Sequence, residues 1–213
     1  MLLPMTLKPF FPCLALALSL SACAEPALRQ VRGQARDWTF GAGTVEFLSD
    51  DLQTLSAAKV DAVGRFTLKL PDPAHVKPLL QPSLIPEVPA GCTNSVRASL
   101  AAASYYTLGD VTAYPSGGTK RAALTLVSED RGGDQDPRHL TKRLFVYASQ
   151  PVKVSGELRC TVNGQWVSAR YALDLKPGWN RVASEQTLHR SGASETTVLN
   201  VGDDGFERWA VAP

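Results

Sequence analysis

Three histidines, His75, His139 and His189, are all the imidazole in this 213-residue chain, so acid–base or zinc chemistry must use them or the carboxylates. None stands four residues from another and no His-Glu-x-x-His occurs, which removes the helical zinc pair. No Gly-x-Ser-x-Gly elbow marks a nucleophile. A Ser-His-Asp site assembled from distant positions is the hydrolytic arrangement left open. The loop Glu129-Asp130-Arg131-Gly132-Gly133-Asp134-Gln135-Asp136 offers hard oxygen ligands for Ca²⁺ in Glu129, Asp130, Asp134 and Asp136. It lacks the alternating carboxylates and late Glu of an EF-hand, so a solvated surface loop is the expectation and no metal or cofactor is assigned. Gly41-Ala42-Gly43 starts like a dinucleotide fingerprint, but Glu46 occupies the third glycine position and a strand pattern follows, against a Rossmann turn. Tyr105, Tyr106, Tyr114, Trp166 and Trp179 are candidates for an aromatic face that stacks on sugar rings. At strand positions such residues also serve as core or cross-strand partners.

The amino terminus carries a different chemistry. Lys8 is the one charged residue among the first 22, and Pro9 through Leu20 is uncharged and rich in Leu, Ala and Phe. A charged start followed by a short apolar centre reads as a secretory signal. The run of about a dozen residues falls short of the roughly 20 that a membrane-spanning helix needs. It ends in Leu20-Ser21-Ala22-Cys23, which resembles the lipobox of bacterial lipoproteins. The resemblance implies cleavage before Cys23 and fatty acyl chains, palmitate among them, on its sulfur and new amino group. Each buried methylene contributes about 0.8 kcal/mol, so two or three chains anchor where one holds only reversibly. In a Gram-negative host, Ala24 after the lipidated cysteine would favour the outer membrane.

With residues 1–22 removed as a signal and Cys23 lipidated, Cys92 and Cys160 remain as one pair in an oxidising compartment, and a structural disulfide between them is expected. Their spacing is not the Cys-x-x-Cys of redox or zinc sites. Charge is balanced: of 22 Lys and Arg, the signal takes Lys8, leaving 21 against 20 Asp and Glu. Such a balance suggests no electrostatic footprint for nucleic acid.

These groups must be positioned by strands. Phe66, Leu68 and Leu70 alternate with Arg65, Thr67 and Lys69, the period-two pattern of a half-buried strand. Asn163-Gly164 is the strongest hairpin signal, and Lys176-Pro177-Gly178 and Asp203-Asp204-Gly205 mark further turns. Val96 to Ser104 is the one stretch whose alanines favour a short helix. Val31-x-Gly33, Gly43-Thr44-Val45-Glu46-Phe47 and Val60-Asp61-x-x-Gly64-Arg65-Phe66-x-Leu68-x-Leu70-Pro71 together resemble the transthyretin-like or carboxypeptidase-regulatory-like β-sandwich. That resemblance covers about 40 of the 213 residues and implies a non-catalytic extracellular module.

Six prolines between Pro71 and Pro89 deny the donors a central strand needs. The expectation is an all-β chain of short antiparallel strands in one β-sandwich or two, with two lobes preferred. Its parts are a signal peptide (1–22), a tether (23–30), a small β module (31–71), a Pro-rich connection (72–91) and a β-sandwich domain (92–213). The functional expectation is a lipid-anchored cell-envelope protein, attached to the membrane, with a non-catalytic binding or scaffolding role toward an envelope protein or glycan. An envelope hydrolase and a carbohydrate-binding module are the alternatives.

Overall fold

In the computed structural model, described for residues 28–211 apart from 86, 87, 89, 118–121, 127–135 and 204, nearly every element is a strand. In chain order they are β1 (Gln30–Ala35), β2 (Gly43–Leu48), β3 (Thr54–Val60), β4 (Arg65–Lys69), β5 (Thr93–Asn94), β6 (Arg97–Ala98), β7 (Tyr105–Leu108), β8 (Asp110–Pro115), β9 (Ala122–Leu126), β10 (Arg138–Ala148), β11 (Val152–Val162), β12 (Gln165–Leu175), β13 (Gly178–Leu188), β14 (Ser194–Asn200) and β15 (Arg208–Val211). The strands β1-β15-β9-β8-β2-β3-β4 close into a barrel, and β5-β11-β12-β14-β13-β10-β7, with β6 beside β11, form an eight-stranded sheet. Pairing is antiparallel except for β1 with β15 and β12 with β14.

Alternation explains the barrel wall. Phe66 and Leu68 point inward between the exposed Arg65, Thr67 and Lys69, and the Asp61 carboxylate holds the preceding turn by accepting from the Val63 and Arg65 amides at 3.0 and 2.8 Å. Gly33 has a steric role. A Cβ there would collide with the Trp209 indole and the Phe66 ring, so its bare Cα makes room for Trp209, which is fully buried and set edge-on to Phe66 at 5.6 Å. That fit seats the last strand beside the first.

The two sheets share a core. Val45, Phe47, Leu68, Leu124 and Trp209 fill the barrel, and Tyr106, Leu108 and Phe145 reach into the same cluster from the open sheet. Phe145 sits 6.3 Å from Phe47 and 5.0 Å from Phe206, ring to ring. One residue along each strand, Tyr105 and Val146 face the opposite way, into a second cluster with Val154, Leu173 and Val182. Period two thus sends neighbouring residues of β7 and β10 to two different cores.

Sheet membership does not follow the expected division at 72–91. The four strands of residues 31–71 close only with β8, β9 and β15, all drawn from 92–213, because their inward face needs Leu124 and Trp209 to cover it. Strands β10 to β13 run 11 residues each, about twice the usual length. The stretch Val96 to Ser104, open to a strand or a short helix from its sequence, is β6 followed by turns, while a one-turn helix, Pro73–Val76, stands in the Pro-rich connection. Proline there occupies the first helical turn, where its missing N–H costs nothing, and Val76 is buried in the barrel-side core. Cys92 and Cys160 are disulfide-bonded, with Cα atoms 4.2 Å apart, and fasten the segment before β5 to β11. The Asn163-Gly164 hairpin forms with both residues at positive φ, 51° and 77°, as a type I′ turn requires.

Candidate functional site

The long strands carry a row of polar side chains across the outer face of the open sheet. Arg159 on β11 pairs with Ser168 on β12, Ser168 with Glu195 on β14, Glu195 with Thr187 on β13, and Thr187 with His139 on β10. Directly paired residues share a face and lie about 5 Å apart, so five polar groups stand abreast. A parallel row two residues along holds Glu157, Arg170, Thr197, Glu185 and Thr141. Toward the hairpin tip, Trp166 is 48% exposed, with its ring 6.2 Å from that of His189. Trp166, Arg159, Glu157, Arg170 and Glu195 line a groove of about 470 Å³.

Two features make this face ordered. Glu157 Oε2 accepts from Arg159 Nη2 at 2.7 Å. That hydrogen bond, joined by the charges of Arg159 and Arg170, holds the Glu157 carboxyl below its ordinary range against a desolvation that raises it. A carboxylate so held accepts hydrogen bonds rather than delivering protons. The hairpin itself is braced by the disulfide, since Cys160 pairs with Val167, the residue after Trp166.

The sequence-predicted aromatic face is not assembled. Tyr105 and Tyr106 are buried in the two different cores. Tyr114 is half-buried on β8, and Trp179 is half-buried with its indole N–H donating to the Pro71 carbonyl at 2.9 Å and its ring edge-on to Tyr147 at 5.4 Å. Trp179 opens β13 while Trp166 lies level with the far end of that strand, roughly 30 Å away at 3.3 Å per residue. Of the five, Trp166 is the most open to solvent.

The histidines are likewise spread. His75 is exposed on the one-turn helix. His139 is exposed, its Nδ1 3.2 Å from Thr187 Oγ1, a solvent-facing cross-strand contact with no third group orienting the ring among the described residues, unlike an activated nucleophile–base pair. His189 is half-buried, and its Nε2 has no hydrogen-bond partner among the described residues. Of the acidic loop, Glu129, Asp130 and Asp134 lie outside the described residues, and Asp136 accepts from the Arg190 amide at 3.0 Å. No group of three metal-ligating side chains occurs among the described residues.

A second concavity of about 670 Å³ lies where β1 meets the open sheet. One of its three cations, Arg181, bonds Asp203 at 2.6 Å and lies 5.7 Å over the Phe206 ring, so its charge is already met by the turn before β15; the others are Arg29 and Arg32. Sequence reading missed Glu157, Arg159, Ser168, Arg170, Thr187 and Glu195 as a group, because nothing local marks which residues of four separate strands will share a face. Compared with known proteins, no family model, no curated protein and no solved structure matches the chain.

Proposed function

We propose that this chain is a membrane-anchored extracytoplasmic lipoprotein with a non-catalytic binding role, and that the ligand class is carbohydrate, held on the β11–β12–β14 face around Trp166. The reading rests on one observation above the rest: the exposed Trp166 indole borders a groove whose polar lining is carboxylate, guanidinium and hydroxyl side chains on paired strands. An indole supplies a flat apolar surface for the C–H face of a pyranose. Glu157, Arg159, Arg170 and Glu195 supply charge-assisted hydrogen bonds to its hydroxyls. The lipobox-like Leu20-Ser21-Ala22-Cys23 supports the anchor.

The test is sedimentation of the full chain with purified peptidoglycan sacculi and competition by soluble N-acetylglucosamine oligomers. An indole presents roughly 150–250 Å². About half of it is open here, and at ~25 cal/mol/Å² covering ~100 Å² contributes about 2.5 kcal/mol. Trp166→Ala is therefore expected to weaken binding by at least about tenfold. Cosedimentation that survives Trp166→Ala unchanged, or none at all with the parent chain, refutes the carbohydrate reading.

A further inference from the structure

Balanced composition conceals a segregation of charge on the barrel. The sequences of β3, β4, β1 and β15 contain no Asp or Glu, and these four strands are consecutive neighbours in the wall. Their outward positions carry Lys59, Arg65, Lys69, Arg32 and Arg208, all exposed. Register sets them close: Gln34 on β1 pairs with Arg65 on one side and Arg208 on the other, and Gln30 pairs with Lys69. Arg29 and Arg36, also exposed, extend the patch at both ends of β1. Among the described residues, two acidic groups, Asp37 and Glu207, line the groove within it, and Asp61 stands at the turn between β3 and β4. Glu207 is 3.5 Å from Arg208, and Asp61 is engaged by two backbone amides. Among the described residues, Arg208 alone of these seven cations has an acidic partner within ion-pair distance. Between them runs a shallow groove of about 980 Å³ lined by Arg32, Arg36, Arg65 and Arg208, four cations against the two carboxylates Asp37 and Glu207, and edged by Val63, which is 54% exposed.

Where the chain enters the barrel indicates what meets this face. Gln30, the first residue of β1, follows Cys23 by seven residues, and seven residues span at most about 25 Å. A bilayer holding Cys23 by its lipid would lie within that distance of the Lys69 end of the patch. Tethering at such range raises the effective concentration to the millimolar scale, where modest attraction suffices. We propose that the β3–β4–β1–β15 face of the barrel lies on the anionic headgroups of the membrane that holds the lipid anchor, with Val63 dipping into the interfacial region. The inference rests on the lipoprotein reading for its tether and on the charge segregation for its face.

Each Lys or Arg near an anionic surface contributes about fivefold to partitioning. The experiment uses residues 23–213 carrying Cys23→Ser, which retain every strand and both cores, and measures cosedimentation with vesicles of phosphatidylcholine alone or with about 30% phosphatidylglycerol. Expected are a preference for the anionic vesicles of at least about tenfold and its loss as salt rises from ~0.05 to ~0.5 M. The triple variant Arg32→Gln, Arg65→Gln, Arg208→Gln should bind about 100-fold more weakly. A matched triple on the open sheet away from the Trp166 groove, Arg97→Gln, Lys142→Gln, Lys153→Gln, should bind as the parent does. Equal binding to both vesicles, equal loss in the two triples, or tighter binding to a short DNA duplex than to anionic vesicles at the same salt overturns the proposal. Intact mass of the full chain from its native membrane separates the two readings. An unacylated Cys23 with selective vesicle binding removes the anchor and leaves the membrane face, whereas an acylated Cys23 without selectivity leaves the anchor and removes the face.

Discussion

Phe145 is where the barrel and the open sheet become one cooperative unit, and Phe145→Ala tests that directly. The side chain is 1% exposed and belongs to a strand of the open sheet, yet its ring neighbours are Phe47 of β2 and Phe206 just before β15. Truncation leaves a cavity that two flanking sheets, each pinned by its own ladder, cannot close, so the cost should reach the usual ~3–5 kcal/mol for a buried phenylalanine. For a domain of this size each kcal/mol lowers Tm by about 2–4 °C, which gives a fall of roughly 6–20 °C. Differential scanning calorimetry with near-ultraviolet circular dichroism should show one transition in the parent and one, at the lower temperature, in the variant. Phe145→Leu, which keeps most of the volume, should recover much of the loss. Two separate transitions with only one displaced, or a shift below about 2 °C, would refute the shared core and favour two independent lobes.

Removing the Cys92–Cys160 bond by double Ser substitution should cost about 4 kcal/mol, from the loop entropy of a 68-residue separation. Urea unfolding of the oxidised parent and the variant reads this out, and an unchanged midpoint would contradict it. Burial raises the phenols of Tyr105 and Tyr171, and burial followed by the charges of Asp50 and Asp51 raises that of Tyr106. Because the folded state favours the protonated phenol, this contribution to stability is complete below the unfolded tyrosine value of about 10 and is lost as pH rises through the higher folded values. Phenolate absorbance should therefore lag for these three until unfolding begins. Full ionisation near pH ~10 with the fold intact would count against their burial.

Much of the local structure is legible in the sequence. Period-two alternation in β4 and the Asn163-Gly164 turn are properties of a few adjacent residues, so they survive whatever the rest of the chain does. The Cys92–Cys160 pairing follows once the lipobox resemblance accounts for the other two cysteines. The proline-rich stretch was misleading because proline forbids a central strand without forbidding a one-turn helix or deciding which sheet the flanking strands join. The candidate face around Trp166 was half visible. Trp166 itself stood among the aromatic candidates, but its exposure and its polar neighbours did not.

Sequence by itself therefore determined the β class, the hairpins and the disulfide, all set by short-range stereochemistry or by counting, while the export signal and its lipidated cysteine stand as an expectation. Tertiary structure decided where Trp209 inserts beside Gly33, returning the last strand to the first and overriding the division at 72–91. It also decided that Arg32, Arg65 and Arg208 form one basic surface in a chain of nearly balanced charge. The physical reason is register. Which residues of distant strands face each other depends on how the inward side chains pack as a set, and no window along the chain contains that set.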